Sequence, residues 1–594
     1  MRLPFTLLGR GLIAALLFCV SAAWAADGST LEARRKALND LLAEQWQYTL
    51  AQSPEFSTIL GDYSLNDRWG DNSLAAIARR QKESEAFLKR FEAIDTTGFP
   101  EVERLNKTLM VDQLKDGLEQ QRLGLHLLPL DQSGGVHLQY PQFGALVPTD
   151  TVKHYEDYLA RLNTLPEQID QLIAIAREGM KAGLMPPKYL LGKVVTQCQA
   201  IARPAGVDSP FASPLQKFPD AISAADQARL KAAMIKAIDT KVRPAYDRLA
   251  KFVEKEYAPK GRTEPGLWSL PNGDALYRFQ IRSQTTTTMD PQAIHDLGLA
   301  EVARIEAEQA EIAKRFGYPD LKSFRDDLKL DRSTFASSRQ QIVDLYTKYN
   351  RQMEPELPKL FGLLPKSNVE VKAVEEYREK EASAASYTQG TPDGKRPGQI
   401  YVNTGDFQNR SLLTIESTAY HEGSPGHHMQ IAIAQTLPEL PPFRQQGGYT
   451  AYVEGWALYS ERLGKEVGFY QDPLSDYGRL SDELLRANRL VLDTGVHYKR
   501  WTRQQMVDWF HAHSSDDEPD LQSETDRYIV WPGQALAYKL GQLKILALRE
   551  DAKAKLGDKF DIRAFHDTVL SGGALPLDIL DARVKSWVAE TLAK

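Results

Sequence analysis

The chain has 594 residues, with 73 basic and 79 acidic side chains, a formal net charge of −6 and 42% apolar residues. That length exceeds one ordinary domain and can bury a large core, and the composition excludes a disordered chain. The near balance of charge, with no long Lys/Arg block, excludes a nucleic-acid surface, which needs clustered positive charge.

Residues 1–25 read as a signal peptide. Arg2 and Arg10 give a positive start, GLIAALLFCVSAA is a short apolar core, and Ala23-Trp24-Ala25 fits the small-x-small cleavage rule. The apolar run is too short for a permanent anchor. Cys19, between Phe18 and Val20, is a poor match to a lipid-attachment site. The expectation is an exported protein, secreted or periplasmic, with no membrane anchor once the leader is cut. Cleavage leaves Cys198 as the single thiol, so no internal disulfide can form. Cys198 itself reads as a small buried hydrophobe.

Residues 26–260 read as a helical region. Segments 31–52, 73–94, 153–184 and 220–257 repeat apolar residues at three- and four-residue steps with charged outer faces. The texture changes near 261, which sets the boundary with a catalytic region over 261–594. GRTEPGLWSLPNGDALYRFQIRSQTTTT holds a Pro-Asn-Gly turn and β-favouring residues. SNVEVKAVEEY and ASYTQGTPDGKRPGQIYVNTGD are further β-like patches, the latter turning at Pro392-Asp393-Gly394. Helical periodicity returns after Ser411, and PELPPF at 438–443 connects two helices. The predicted fold is therefore mainly α, with a small β-sheet just ahead of a histidine motif.

That motif is AYHEGSPGHHMQ, residues 419–430. A peptidase zinc site places two histidines one helical turn apart, with a glutamate beside the first as general base. His421 and Glu422 supply the first half, but Pro425 stands where the second histidine should fall. In an unbroken helix His427 would lie about 600° around from His421, and His428 about 700° around and roughly 10 Å along the axis. Pro425 and Gly426 break a helix, however. With Gly423–Gly426 bulged out, His427 takes the place of the second ligand, and His428 is the alternative. Glu454, in AYVEGWALYSERLG, is a carboxylate among Trp456, Ala457, Leu458 and Tyr459. Such burial is costly unless the charge is paired or bound to a cation. Two histidines and one glutamate leave the fourth zinc position open, the catalytic arrangement.

HEGSPGHHMQ followed by EGWALYSE resembles the bacterial family known as domain of unknown function 885, whose pattern is H-E-x-x-P-G-H and then E-G-W-A. DGKRPGQIYVNT, DTGVHYKRWTRQQ and WPGQALAYKLG are similar to the family too, so the resemblance covers most of the mature chain. That family in turn resembles helical zinc peptidases related to thermostable carboxypeptidase and oligopeptidase. The resemblance implies a two-lobed helical metallopeptidase-like fold, one Zn2+ per chain and short peptide substrates.

The remaining expectations concern catalysis and specificity. Glu422 takes a proton from water and passes it to the leaving amine. His497, with Asp493 four residues before it to orient the ring, and Tyr528 and Tyr538 are candidate donors to the developing oxyanion. Arg527 and Lys539 are candidates to grip a substrate carboxylate, Arg in bidentate form. The strand GQIYVNT offers an edge for an extended peptide, and Asn403 at its end can hydrogen-bond substrate amides. Arg489 and Glu461 are read as supports for the metal helices. The expected function is an exported zinc-dependent peptidase of carboxypeptidase or oligopeptidase type. The alternatives are a hydrolase of another amide, such as a cell-wall peptide, and an exported peptide-binding protein with a vestigial site.

Overall fold

The computed structural model describes residues 30–376, 379–380, 382–515 and 518–594; the leader, its cleavage site and Cys19 lie outside them. Helices begin where the sequence offers caps. Thr30, Ser73, Thr151 and Ser223 each accept a hydrogen bond from the backbone N–H three residues on, opening helices Leu31–Gln52, Leu74–Glu92, Val152–Ala182 and Ala224–Ala237. The apolar stripe of the longest of these helices, Leu162, Leu165, Ile169, Leu172 and Ala176, packs against Val194, Cys198, Leu230, Met234 and Leu249. Cys198 is fully buried and burial pushes its thiol up, which leaves it an inert hydrophobe.

The β-like texture at 261–288 is not a sheet. Leu267–Ser269 is a 3-10 turn and Gly273–Thr285 an α-helix. Asn272, with φ 57°, caps that helix, so Pro-Asn-Gly marks a helix start rather than a hairpin. Leu276, Tyr277 and Ile281 are buried against Leu184, Leu490, Leu536 and Leu540, and this packing overrides the β preference of the segment. Packing also crosses position 260 elsewhere: Leu109 shares a core with Met353, Tyr452 and Trp456.

The sheet has three strands, β1 (Val369–Ala373), β2 (Ala385–Thr388) and β3 (Gly398–Val402), in the order β1-β3-β2. β3 runs parallel to β1 and antiparallel to β2, with Ile400 facing Val371 on one side and Tyr387 on the other. The GQIYVNT strand is thus the buried centre of the sheet and has no free edge, contrary to its expected role. Asn403 at its end is buried too. Its Nδ2 donates to the Glu379 and Ala382 carbonyls and its Oδ1 accepts from Gly405 N, so it braces a loop instead of facing substrate.

The helices of the C-terminal region that surround the site are α1 (Ile415–Glu422), α2 (His427–Gln435), α3 (Thr450–Glu466), α4 (Pro473–His497), α5 (Glu518–Val530) and α6 (Gln534–Leu556). α3 and α6 meet backbone to backbone at Gly455 and Gly541. A Cβ on Gly455 would stand 2.4 Å from the Gly541 Cα, so no larger residue fits the crossing. Among the described residues no helix is long and apolar enough to cross a membrane.

Candidate metal centre

The helix that starts at Ile415 ends at Glu422, and a new one starts at His427. Between them Gly426 N–H donates back to the Tyr420 carbonyl at 3.0 Å. A Cβ on Gly426 would lie 2.0 Å from the His421 carbonyl oxygen, so the chain can pass there only as glycine. The freed carbonyl of Pro425 accepts from Trp456 Nε1 at 2.8 Å and from Ser460 Oγ at 3.3 Å. α3 thereby clamps the break, and the His421 and His427 rings come to 4.7 Å between centroids, at 89° to one another.

α3 also supplies the third group. Glu454 and Glu461 are seven residues apart and so share a face. Glu454 Oε2 lies 3.5 Å from His421 Nε2 and 3.1 Å from His427 Nε2, yet is aligned for a hydrogen bond with neither. The ligating atoms of His421, His427 and Glu454 all fall within 4.8 Å of one another. Ligands about 2.0–2.2 Å from a tetrahedral zinc stand roughly 3.3–3.6 Å apart, close to the two distances observed. A buried carboxylate oxygen without a hydrogen bond, aimed at two imidazole nitrogens, fits a cation better than it fits a salt bridge.

The surroundings fix the rings. His421 Nδ1 is 2.8 Å from Glu461 Oε1, which leaves Nε2 for the metal side. Glu461 is 3.7 Å from Arg486, Arg486 pairs with Asp482, and Asp482 accepts from Ser417 Oγ (2.5 Å) and Thr418 Oγ1 (3.1 Å) on α1, closing a ring of buried polar groups. Burial opposes charge on His421, but the neighbouring Glu454 and Glu461 carboxylates outweigh it and hold the ring up at about 9. Burial likewise works against the Glu454 carboxylate, and the two imidazoles hold it well below the usual range. The pocket is therefore built to hold positive charge between carboxylates.

Glu422 follows His421 directly and is buried; among the described residues its carboxylate takes no hydrogen bond. His428 faces away. Its Nε2 is 3.0 Å from the Ser367 carbonyl and its Nδ1 3.1 Å from the Tyr387 hydroxyl, tying α2 to β2. Burial drops this ring to about 4, so it stays neutral there. The half-buried Tyr538 on α6 stacks against His421, with centroids 6.2 Å apart and planes at 19°. The glycine crossing explains this, since Tyr538 lies one turn before Gly541 and Glu454 lies beside Gly455. Tyr538 Oη accepts from Gln534 Nε2 at 3.2 Å, and its own proton has no acceptor among the described residues.

Four expected residues serve elsewhere, and a fifth is largely committed. His497 is buried, its Nδ1 accepts from Leu267 N and its Nε2 meets the Tyr528 carbonyl, so neither nitrogen is free for an oxyanion. Burial lowers it to about 3. Asp493 does not orient it; that carboxyl accepts from Tyr277 Oη and Gly533 N. Tyr528 is fully buried, donating to Glu524 at 2.5 Å and accepting from Arg489 Nε at 3.0 Å. Lys539 has no exposed surface and is spent on Glu483 (2.7 Å), Glu301 (2.9 Å) and Gln542. Arg527 pairs with Glu524 and donates to Gln534, keeping 14% of its side chain exposed. Sequence reading missed Asp482, Arg486 and Gln534; opposite charges four residues apart on α4, among its several other charged residues, were the signal for the first two.

The family profile described as "Bacterial protein of unknown function (DUF885)" matches residues 54–584. No curated protein matches the chain. A Colwellia psychrerythraea protein described as a "putative lipoprotein" has a similar crystal structure, with 30% identity and a TM-score of 0.89 over 94% of this chain and 99% of that one. A Shewanella oneidensis "putative lipoprotein of unknown function" shares the fold at 19% identity, with a TM-score of 0.66 over 93% and 99%. The HEGSPGH break and the EGWA helix both lie inside the matched residues, and the chain belongs to the DUF885 family.

Proposed function

We propose that this protein is an exported, zinc-dependent peptidase that hydrolyses short peptides. The observation that carries the reading is the convergence of His421, His427 and Glu454 around one point, with Glu454 Oε2 buried and unbonded. One divalent ion held there would supply Lewis acidity to water and to the scissile carbonyl. Glu422, beside the trio and without a hydrogen-bonding partner, receives the proton of the attacking water. The water oxygen bonds to the carbonyl carbon, the C–N bond breaks, and Glu422 returns the proton to the leaving amine. Tyr538, whose proton is uncommitted, donates to the carbonyl oxygen as it gains charge. The leader-like N-terminus and the description of both similar structures as lipoproteins support export.

The test is metal analysis of the purified chain, then incubation with a peptide mixture and mass spectrometry of products with and without chelator. The expected result is about one zinc per chain, chelator-sensitive cleavage, and a Glu422→Gln variant that keeps zinc and loses turnover by about 10²–10⁴-fold. A chain that no added zinc can occupy, or cleavage untouched by Glu422→Gln, refutes the reading.

A further inference from the structure

Beside the trio lies a cluster in which, among the described residues, two guanidinium groups share one carboxylate. Arg489 on α4 donates through Nη2 to Glu524 at 2.9 Å and through Nε to the Tyr528 hydroxyl. Its third nitrogen, Nη1, is buried without a partner. Arg527 shares the same acid, its Nη2 lying 2.9 Å from Glu524 Oε2. Two guanidinium groups therefore rest on one carboxylate. Tyr528 adds no negative charge, because burial pushes its hydroxyl far up. Asp493, the other acid near Arg527, is held by Tyr277 and Gly533. A buried guanidinium that shares its one acid with a second cation is under-compensated until an anion joins it, and Arg489 is only 5% exposed.

The cluster borders the reaction centre through Tyr538. The Arg489 guanidinium lies 4.4 Å over the Tyr538 ring, and that ring stacks on His421 at 6.2 Å. Arg527 reaches the same tyrosine through Gln534, which accepts from Arg527 at 2.8 Å and donates to Tyr538 Oη at 3.2 Å. Tyr538, Gln534 and Arg527 are half-buried, whereas Arg489 is buried. The Arg489 guanidinium and the His421 ring are therefore at most about 11 Å apart across Tyr538, a span of up to three residues of extended chain at about 3.3–3.6 Å each.

We infer that Arg489, with Arg527 beside it, binds the free C-terminal carboxylate of the substrate, so that the enzyme removes one to three residues from peptide C-termini. This rests on the peptidase reading and names its substrate class: unblocked peptides, with the terminal carboxylate completing a charge-assisted pair. Arg489 is the sharper of the two because it alone has a buried donor left without a partner, whereas Arg527 is fully occupied by Glu524 and Gln534.

The test uses one pentapeptide made with a free carboxylate and with a C-terminal carboxamide. Binding to zinc-loaded Glu422→Gln protein is measured by calorimetry, and cleavage by the parent enzyme is followed by mass spectrometry. The expected result is at least tenfold tighter binding of the free acid, release of its last one to three residues, and loss of that preference in Arg489→Lys, which keeps a charge for Glu524 but not the third nitrogen. Equal binding and cleavage of the two peptides overturns the inference while leaving the peptidase reading intact. A preference that survives in a natively folded Arg489→Lys variant overturns the assignment to Arg489. Failure of both peptides to bind or be cleaved overturns both readings. The acid-versus-amide comparison on unmutated Arg489 decides the matter even if the lysine variant does not fold.

Discussion

Glu461→Gln is the most informative single change, because it isolates the contribution of one charge to the metal centre. Glu461 is 2% exposed, sits 2.8 Å from His421 Nδ1 and has Arg486 at 3.7 Å. A hydrogen bond to a charged group contributes about 1.5–3 kcal/mol and a neutral one about 0.5–1.5. Glutamine keeps an oxygen acceptor for the ring and loses only the charge, so the difference is about 1–1.5 kcal/mol, or roughly tenfold in zinc affinity. Glu461→Ala removes the acceptor as well and should reach about 100-fold, the upper end for residues that orient a metal-bound histidine. Competition for zinc against a chromophoric chelator near neutral pH measures both, with thermal melts as a control for folding. If both variants fold and bind zinc as tightly as the parent, the carboxylate does not set the His421 ring and the account of the site is wrong.

Other outcomes follow from the same geometry. His427→Gln should abolish stoichiometric zinc binding, whereas His428→Gln should keep it and lose only the ties to Tyr387 and Ser367; metal analysis separates them. Gly455→Ala forces a methyl toward the Gly541 backbone and should cost about 1–3 kcal/mol, read from denaturant midpoints, while weakening zinc binding through its neighbour Glu454. Asp493 is pushed up to about 7 by burial, against about 3.9 unfolded, so the folded chain binds more protons between those values. Its contribution to stability therefore falls as pH rises from about 4 to 7, by on the order of 4 kcal/mol. Asp493→Asn cannot titrate; relative to it, the parent should lose stability across that window in denaturation experiments at a series of pH values.

The scaffold helices were legible because their apolar residues recur at helical steps and their caps are standard. The helix break was legible because proline and glycine leave few backbone choices. Glu454 was legible because a carboxylate among Trp456, Ala457 and Leu458 needs a reason. What could not be read was the use of backbone groups as partners. Asp493 and His497 share a helical face, yet one took Tyr277 and Gly533 and the other took Leu267 and Tyr528, pairings set by distant segments. Lys539 looked like a free cation because nothing local reveals that Glu301 and Glu483 arrive from other helices. The segment after Asn272 misled because threonines and aromatics favour strands on their own, while burial against α4 and α6 decided for helix.

The gap between Glu422 and His427 has a bearing on detection. A search that insists on two histidines four positions apart passes over this chain, since here they are six apart and lie on separate helical pieces. What survives the insertion is spatial: the acid follows the first imidazole, the second imidazole opens the next helix, and a tryptophan indole pins the loop that joins them. A search for that three-dimensional arrangement, indifferent to spacing, would collect such proteins where pattern matching does not.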